Sequence, residues 1–143
     1  MGVVKAVCTS NIKGIQKTEQ DAIELKPDWG IEGDAHGGPW HRQVSLLSSE
    51  QVEAFKARGA DVGHGSFGEN IVVEGFDLKC LPIGTRFACG DVVLELTQIG
   101  KRCHAHCAIY HQVGDCIMPR EGVFCKVIEG GAIAPGDAIE IAQ

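Results

Sequence analysis

Three of the chain's seven cysteines and three of its six histidines fall in one short stretch: Cys103, His104, His106, Cys107, His111 and Cys116. Lys101 and Arg102 immediately precede Cys103, and His104 follows it. A thiol becomes a nucleophile or a soft-metal ligand only as the thiolate, and neighbouring positive charge favours that form. A helix beginning at this point would add its N-terminal dipole. Such a thiolate can carry a persulfide or bind a soft or redox-active metal. The same residues admit a second reading, structural zinc held by Cys103, Cys107 and Cys116 with His104, His106 or His111. The spacing is C-x3-C-x8-C, without the paired knuckles of common zinc modules. The third reading is inert packing, since cysteine is among the most often buried residues. It is the default for Cys8, Cys89 and Cys125, each on or beside an apolar strand pattern, while Cys80 is ambiguous.

A second polar region is framed by glycine. Gly33-Asp34-Ala35-His36-Gly37-Gly38, followed by His41-Arg42-Gln43, places one acid, two histidines and an arginine close together. Arg42 suits a phosphate, because a guanidinium offers a planar two-pronged donor. Asp34, His36 and His41 offer a weaker metal set, and a tight loop of solvated charges is the plain alternative. Asn70, at a strand start, can read the edge of a heterocycle or brace its own loop. Gly65–Ile71 lacks the lysine and the strand-loop-helix setting of a phosphate loop. No Gly-x-Ser-x-Gly elbow and no convincing Schiff-base lysine are present.

These residues need a scaffold. At 143 residues and 15.3 kDa the chain suits one domain, residues 1–143. Nineteen glycines against five prolines favour a turn-dense β fold over a helix bundle. The net charge of −6 argues against general nucleic-acid binding. No apolar run reaches the ~20 residues of a membrane span. An odd cysteine count without a visible secretory signal points to thiols in a reducing compartment, the cytoplasm.

The apolar patterns predict strands at Val3–Cys8, Ala22–Leu25, Gln43–Leu47, Glu69–Val73, Thr85–Ala88, Val92–Thr97, Val123–Ile128 and Ala138–Ile141. Thr9–Gln20 reads as a loop, and Gly30–Gly38 as a loop of unusual backbone angles. Ser48 with Gln51 has the form of a capping box, opening a helix of about ten residues that closes at Gly59. A second short helix is predicted at Ala105–Gln112. Strands at this spacing, punctuated by turns, argue for a closed or partly closed antiparallel barrel.

Taken in order, Gly33–His36, Arg42–Leu47, Gly68–Ile71, Leu81–Thr85, Leu94–Gly100, Gly122–Phe124 and Gly136-Asp137 resemble the MOSC domain, named for the C-terminal domain of molybdenum cofactor sulfurases. The likeness spans about Val4 to Ile141. It implies a mainly β fold with short helices, a barrel akin to that of the pyruvate-kinase barrel domain. It also implies molybdenum cofactor (molybdopterin) as the ligand, a pyranopterin phosphate whose dithiolene holds the metal. By resemblance Cys103 is the residue that ligates molybdenum, with Cys107 the alternative and Cys116 a feature of the small stand-alone branch. Arg42 and Asn70 match positions on the pterin side, and His36, Thr97 and Arg102 complete the cofactor-binding set.

The stretch carries neither the pyridoxal-phosphate domain of the sulfurases nor the extra N-terminal barrel of the family's reductases. The expectation is therefore a carrier, sulfur acceptor or cofactor-delivery protein acting through a reactive cysteine, with a sulfurtransferase-like or cofactor-maturation activity left open. Its implied partners are the cofactor itself, molybdoenzymes and a cysteine desulfurase, with neither nucleic acid nor membrane. The alternatives are a persulfide relay through Cys103, Cys107 and Cys116 without bound cofactor, and a zinc-stabilised binding module.

Overall fold

A computed structural model describes residues 2–11, 17–35, 37–59, 63–65, 67–99 and 122–142. The strands are β1 (Gly2–Thr9), β2 (Thr18–Gln20), β3 (Ile23–Lys26), β4 (Gly30–Ile31), β5 (Val44–Ser48), β6 (Ile71–Glu74), β7 (Arg86–Cys89), β8 (Val92–Ile99), β9 (Val123–Glu129), β10 (Gly131–Ile133) and β11 (Ala138–Ala142). One helix, α1 (Ser49–Ala57), and a 3-10 turn at Leu78–Cys80 complete the described elements.

Seven strands close on themselves in the order β1, β11, β7, β8, β9, β5, β6 and back to β1, with β2 added outside β1. Closure is made by Gly2 opposite Ile139 and Val3 opposite Ala138. A closed ring leaves no barrel strand with an unpaired flank to aggregate. A separate three-stranded sheet runs β10, β3, β4.

Strand alternation fills the interior. On β8, Val92, Leu94 and Leu96 are buried, and the residues between them are half-exposed. They join Leu46, Ile71, Phe87, Val127 and others in one continuous core. All of β5 is buried, because the barrel lies on one side and α1 packs on β5 and β6 from the other. Val52 and Phe55 are the helix's buried residues, and Phe55 meets Phe67 edge-on at 5.4 Å.

Four expectations change. The barrel is not wholly antiparallel, since β5 and β6 run parallel; the intervening α1 provides the crossover that parallel neighbours need. The stretch Thr9–Gln20 is not all loop, because Thr18–Gln20 pairs with the end of β1. The two-residue strand Gly30–Ile31 and the strand Gly131–Ile133 were masked by glycines read as turn signals; both are held by β3. Ser48 sits at the helix start but makes no side-chain cap, because its hydroxyl donates to Glu50 instead (3.1 Å). At the other end the chain turns at Gly59, whose φ of +95° suits glycine.

Candidate functional site

Arg42 lies just ahead of β5, and its surroundings come from three places in the chain. The guanidinium carbon is 4.8 Å from the Trp40 ring centroid and 5.7 Å from that of Phe124, the second residue of β9. Cation–π contact of this kind fixes the plane of the group while leaving its donors at the edges. Arg42 is half-buried, and its Nε–H is fully buried without a hydrogen-bond partner among the described residues. A buried donor in that condition costs about 1–3 kcal/mol, and an oxyanion is the acceptor that a guanidinium edge takes in two-pronged fashion.

Thr97 and Gln98 of β8 border the same spot. Thr97 Oγ1 bonds the carbonyl oxygen of His41 and lies 3.1 Å from that of Phe124. Gln98 Oε1 is 2.8 Å from His41 Nε2. β8 and β9 pair at their ends, Ile99 opposite Val123. The chain between these strands is the cysteine-histidine stretch; Arg102, Cys103, Cys107, Cys116 and the predicted helix Ala105–Gln112 lie outside the described residues, as does His36.

Asn70 takes the bracing position of its two readings. It is fully buried; its Oδ1 accepts from Ser45 N–H (3.0 Å) and lies 3.2 Å from Ser45 Oγ, and Nδ2 donates to Cys8 O (3.1 Å). One side chain just ahead of β6 thus ties β1 to β5, the strand that follows Arg42.

The loop bearing Asp34 is anchored by a buried charge pair. Lys17 Nζ meets Asp34 Oδ1 at 2.7 Å with both side chains sealed from solvent, and Ser10 N–H donates to the same oxygen (3.1 Å). Asp34 is therefore engaged by an ammonium, while His41 is turned to β8. No group of three metal-ligating side chains occurs among the described residues. Beside Lys17 lies Glu69, also fully buried, whose two oxygens accept from Gly65 N–H and Phe67 N–H (3.0 Å each). Burial pushes its carboxyl up to about 7, against the downward pull of backbone N–H groups and Lys17. Gly65 is required here: its φ is +88°, and a Cβ would lie 2.1 Å from Lys17 O. Sequence reading passed over Lys17, Glu69, Trp40 and Gln98 as site residues. The one local signal was the Trp40-His41-Arg42 run, an aromatic two residues before a guanidinium.

The cysteines assigned to packing are buried. Burial, helped by Glu69, pushes the Cys8 thiol up to about 12. Burial and Asp137 raise Cys89 to about 11, and burial and Glu95 carry Cys125 higher still. Cys80 is exposed, its sulfur 3.1 Å from Asp77 Oδ2. With iodoacetamide at about pH 8, native protein should alkylate at Cys80 while Cys8, Cys89 and Cys125 react only after unfolding, because the thiolate is the reactive form. Peptide mass spectrometry reads the difference.

A closed seven-strand barrel with an arginine held between aromatic rings at one end defines a mainly β, barrel class of protein. The MOSC domain family matches residues 32–140, and the chain belongs to that family, which is associated with molybdenum cofactor binding or sulfur transfer. Among solved structures it is similar to the YuaD protein from Bacillus subtilis, at 20% identity and TM-score 0.76, covering 100% of this chain and 98% of that one. It is also similar to YiiM from Escherichia coli, at 18% identity and TM-score 0.71, covering 100% and 70%. YiiM from Geobacillus stearothermophilus follows at 19% identity and TM-score 0.67, covering 99% and 73%. At these identities the likeness is one of fold. No curated protein matches the chain. No helix among the described residues is long and apolar enough to cross a membrane.

Proposed function

We propose that this MOSC domain binds the molybdenum cofactor at the barrel edge and acts as a carrier or sulfur-transfer protein. The observation that carries the reading is the buried Nε–H of Arg42, unpartnered among the described residues, between Trp40 and Phe124. The pterin phosphate is an anion of the kind that a side-on guanidinium binds. Arg42 is assigned to that phosphate, and Asn70 supports the site from within by holding β5 to β1. His36, Thr97 and Arg102 remain in the assigned cofactor-binding set, with Thr97 acting through the loop carbonyl that it bonds. Bound, the cofactor supplies a molybdenum already held by dithiolene sulfur, to which a thiolate is a matched ligand. Cys103 is the proposed thiolate, with Cys107 and Cys116 as the alternatives for metal ligation or sulfur passage.

Reconstitution with cofactor released from a molybdoenzyme tests this. Wild type should retain stoichiometric molybdenum and show pterin absorption after gel filtration. Arg42→Ala should weaken retention by about 10–100-fold, the worth of one charge-assisted contact. Cys103→Ser should keep the pterin and alter the metal's absorption. Failure of wild type to retain either component, or unchanged retention by Arg42→Ala, defeats the proposal.

A further inference from the structure

We propose that Gln98 and Thr97 form a clamp on His41 that sets the direction of the Arg42 guanidinium, making Gln98 and His41 positioning residues for anion recognition. This rests on the assignment of Arg42 to an anionic ligand. Consecutive strand residues ordinarily face opposite sides, so a regular β8 would present one of these side chains to the His41 segment and turn the other away. The register of β8 on β9 is irregular at this place. Leu96 stands opposite Cys125 and Gln98 opposite Phe124, which leaves Thr97 as an extra residue. Such a bulge re-aims side chains. Here both neighbours grip one residue: Thr97 Oγ1 bonds the backbone carbonyl of His41, and Gln98 Oε1 bonds its ring.

The chemistry of that second bond is one-directional. With the carboxamide oxygen of Gln98 turned to the ring, His41 Nε2 is the donor, in the tautomer that carries its proton there. His41 is thereby held at its main chain and at its side chain by a strand 57 positions away in sequence. Its two neighbours are the elements of the anion site. Trp40 meets the His41 ring edge-on at 6.0 Å and carries the guanidinium of Arg42 on its own ring. The bulge also brings Thr97 Oγ1 within 3.1 Å of Phe124 O, the residue that supplies the second aromatic wall. One irregularity in β8 therefore orients both walls around Arg42. Loss of the clamp would free the Trp40–Arg42 segment without removing any donor from Arg42 itself.

The test is proton–nitrogen NMR of the arginine Nε–H groups, with inorganic phosphate as the probe and Arg42→Lys assigning the signal by its disappearance. In wild type the Arg42 Nε–H should exchange slowly with solvent and shift on phosphate addition. Gln98→Leu removes the acceptor at similar size, and His41→Phe removes the donor while keeping a ring. Each should speed Nε–H exchange at least tenfold and raise the apparent Kd for phosphate about tenfold. Gln98→Glu, which keeps an accepting oxygen, should keep Nε–H exchange within about threefold of wild type, while its added negative charge opposes phosphate. His41 is exposed, so His41→Phe gives the reading even where Gln98→Leu impairs folding. Exchange and phosphate affinity within twofold of wild type in His41→Phe overturn the clamp while leaving the Arg42 assignment standing. Absence of any phosphate shift in wild type instead defeats the Arg42 assignment, and the exchange rates alone then decide whether the clamp exists.

Discussion

Replacing Lys17 by methionine is expected to destabilise the fold by about 3–5 kcal/mol, the loss typical when one partner of a buried ion pair is removed. Both side chains are shut off from solvent, 1% exposed for Lys17 and 0% for Asp34, so neither water nor salt can take over for the missing partner. The substitution leaves the buried Asp34 carboxylate without its ammonium. The damage spreads through the segments that the pair joins. Lys17 N–H donates to Gly65 O, Ala35 N–H to Ser10 O, and Gly37 N–H to Asp34 O. The glycine-framed loop leading to Arg42 is thus pinned to the chain that follows β1. The double substitution Lys17→Met with Asp34→Leu should recover most of the loss, since a well-packed apolar pair avoids the desolvation of both charges. It should fall short by about 1 kcal/mol, because Ser10 N–H loses its acceptor. Urea unfolding of the three variants measures this. A single-variant loss under about 1 kcal/mol would show that the pair contributes no more than a surface bridge.

The second large effect is a fall in stability as pH rises from about 5 to about 7.5, originating at Glu69. Its carboxyl is raised by burial to about 7 in the folded protein, against 4.5 for the ordinary group. Between those values the folded state holds the proton and the unfolded state releases it, so folding stability declines with rising pH across that window. Below it both states are protonated and the advantage is fully present; above it both are ionised and it is gone. At 1.36 kcal/mol for each pH unit of displacement, the total is on the order of 3 kcal/mol. Unfolding free energies measured by urea from pH 5 to pH 8 should carry this slope. Glu69→Gln should flatten it, although the variant starts less stable because an amide NH2 must face one of the two backbone N–H donors at Gly65 and Phe67. An unchanged slope in Glu69→Gln would place the titration elsewhere.

Much of the architecture was readable along the chain. The β-branched run at β1, the alternation on β8 and the apolar residues of β5, β9 and β11 predicted their strands to within a few residues, because side-chain alternation and turn-forming glycines are local properties. The helix after Ser48 and its end at Gly59 were legible for the same reason, as was the packing role of Cys8, Cys89 and Cys125 within apolar patterns. The ordered motifs also sufficed to place the chain in its family.

Tertiary structure decided the rest. The parallel pairing of β5 with β6 and the closure of β1 on β11 join segments whose own patterns are indifferent to direction and partner. Lys17 and Glu69 sit in a polar stretch and a glycine-rich loop, where charge ordinarily signals solvent; their burial became visible only once Asp34 and the backbone donors of the neighbouring loop stood around them. Asn70 became a brace, and Arg42 acquired its second aromatic wall from Phe124, through contacts between residues many positions apart. Periodicity and turn chemistry depend on near neighbours and are written in the order of residues. The orientation of a guanidinium and the ionisation of a buried acid depend on distances across the folded barrel, which that order does not state.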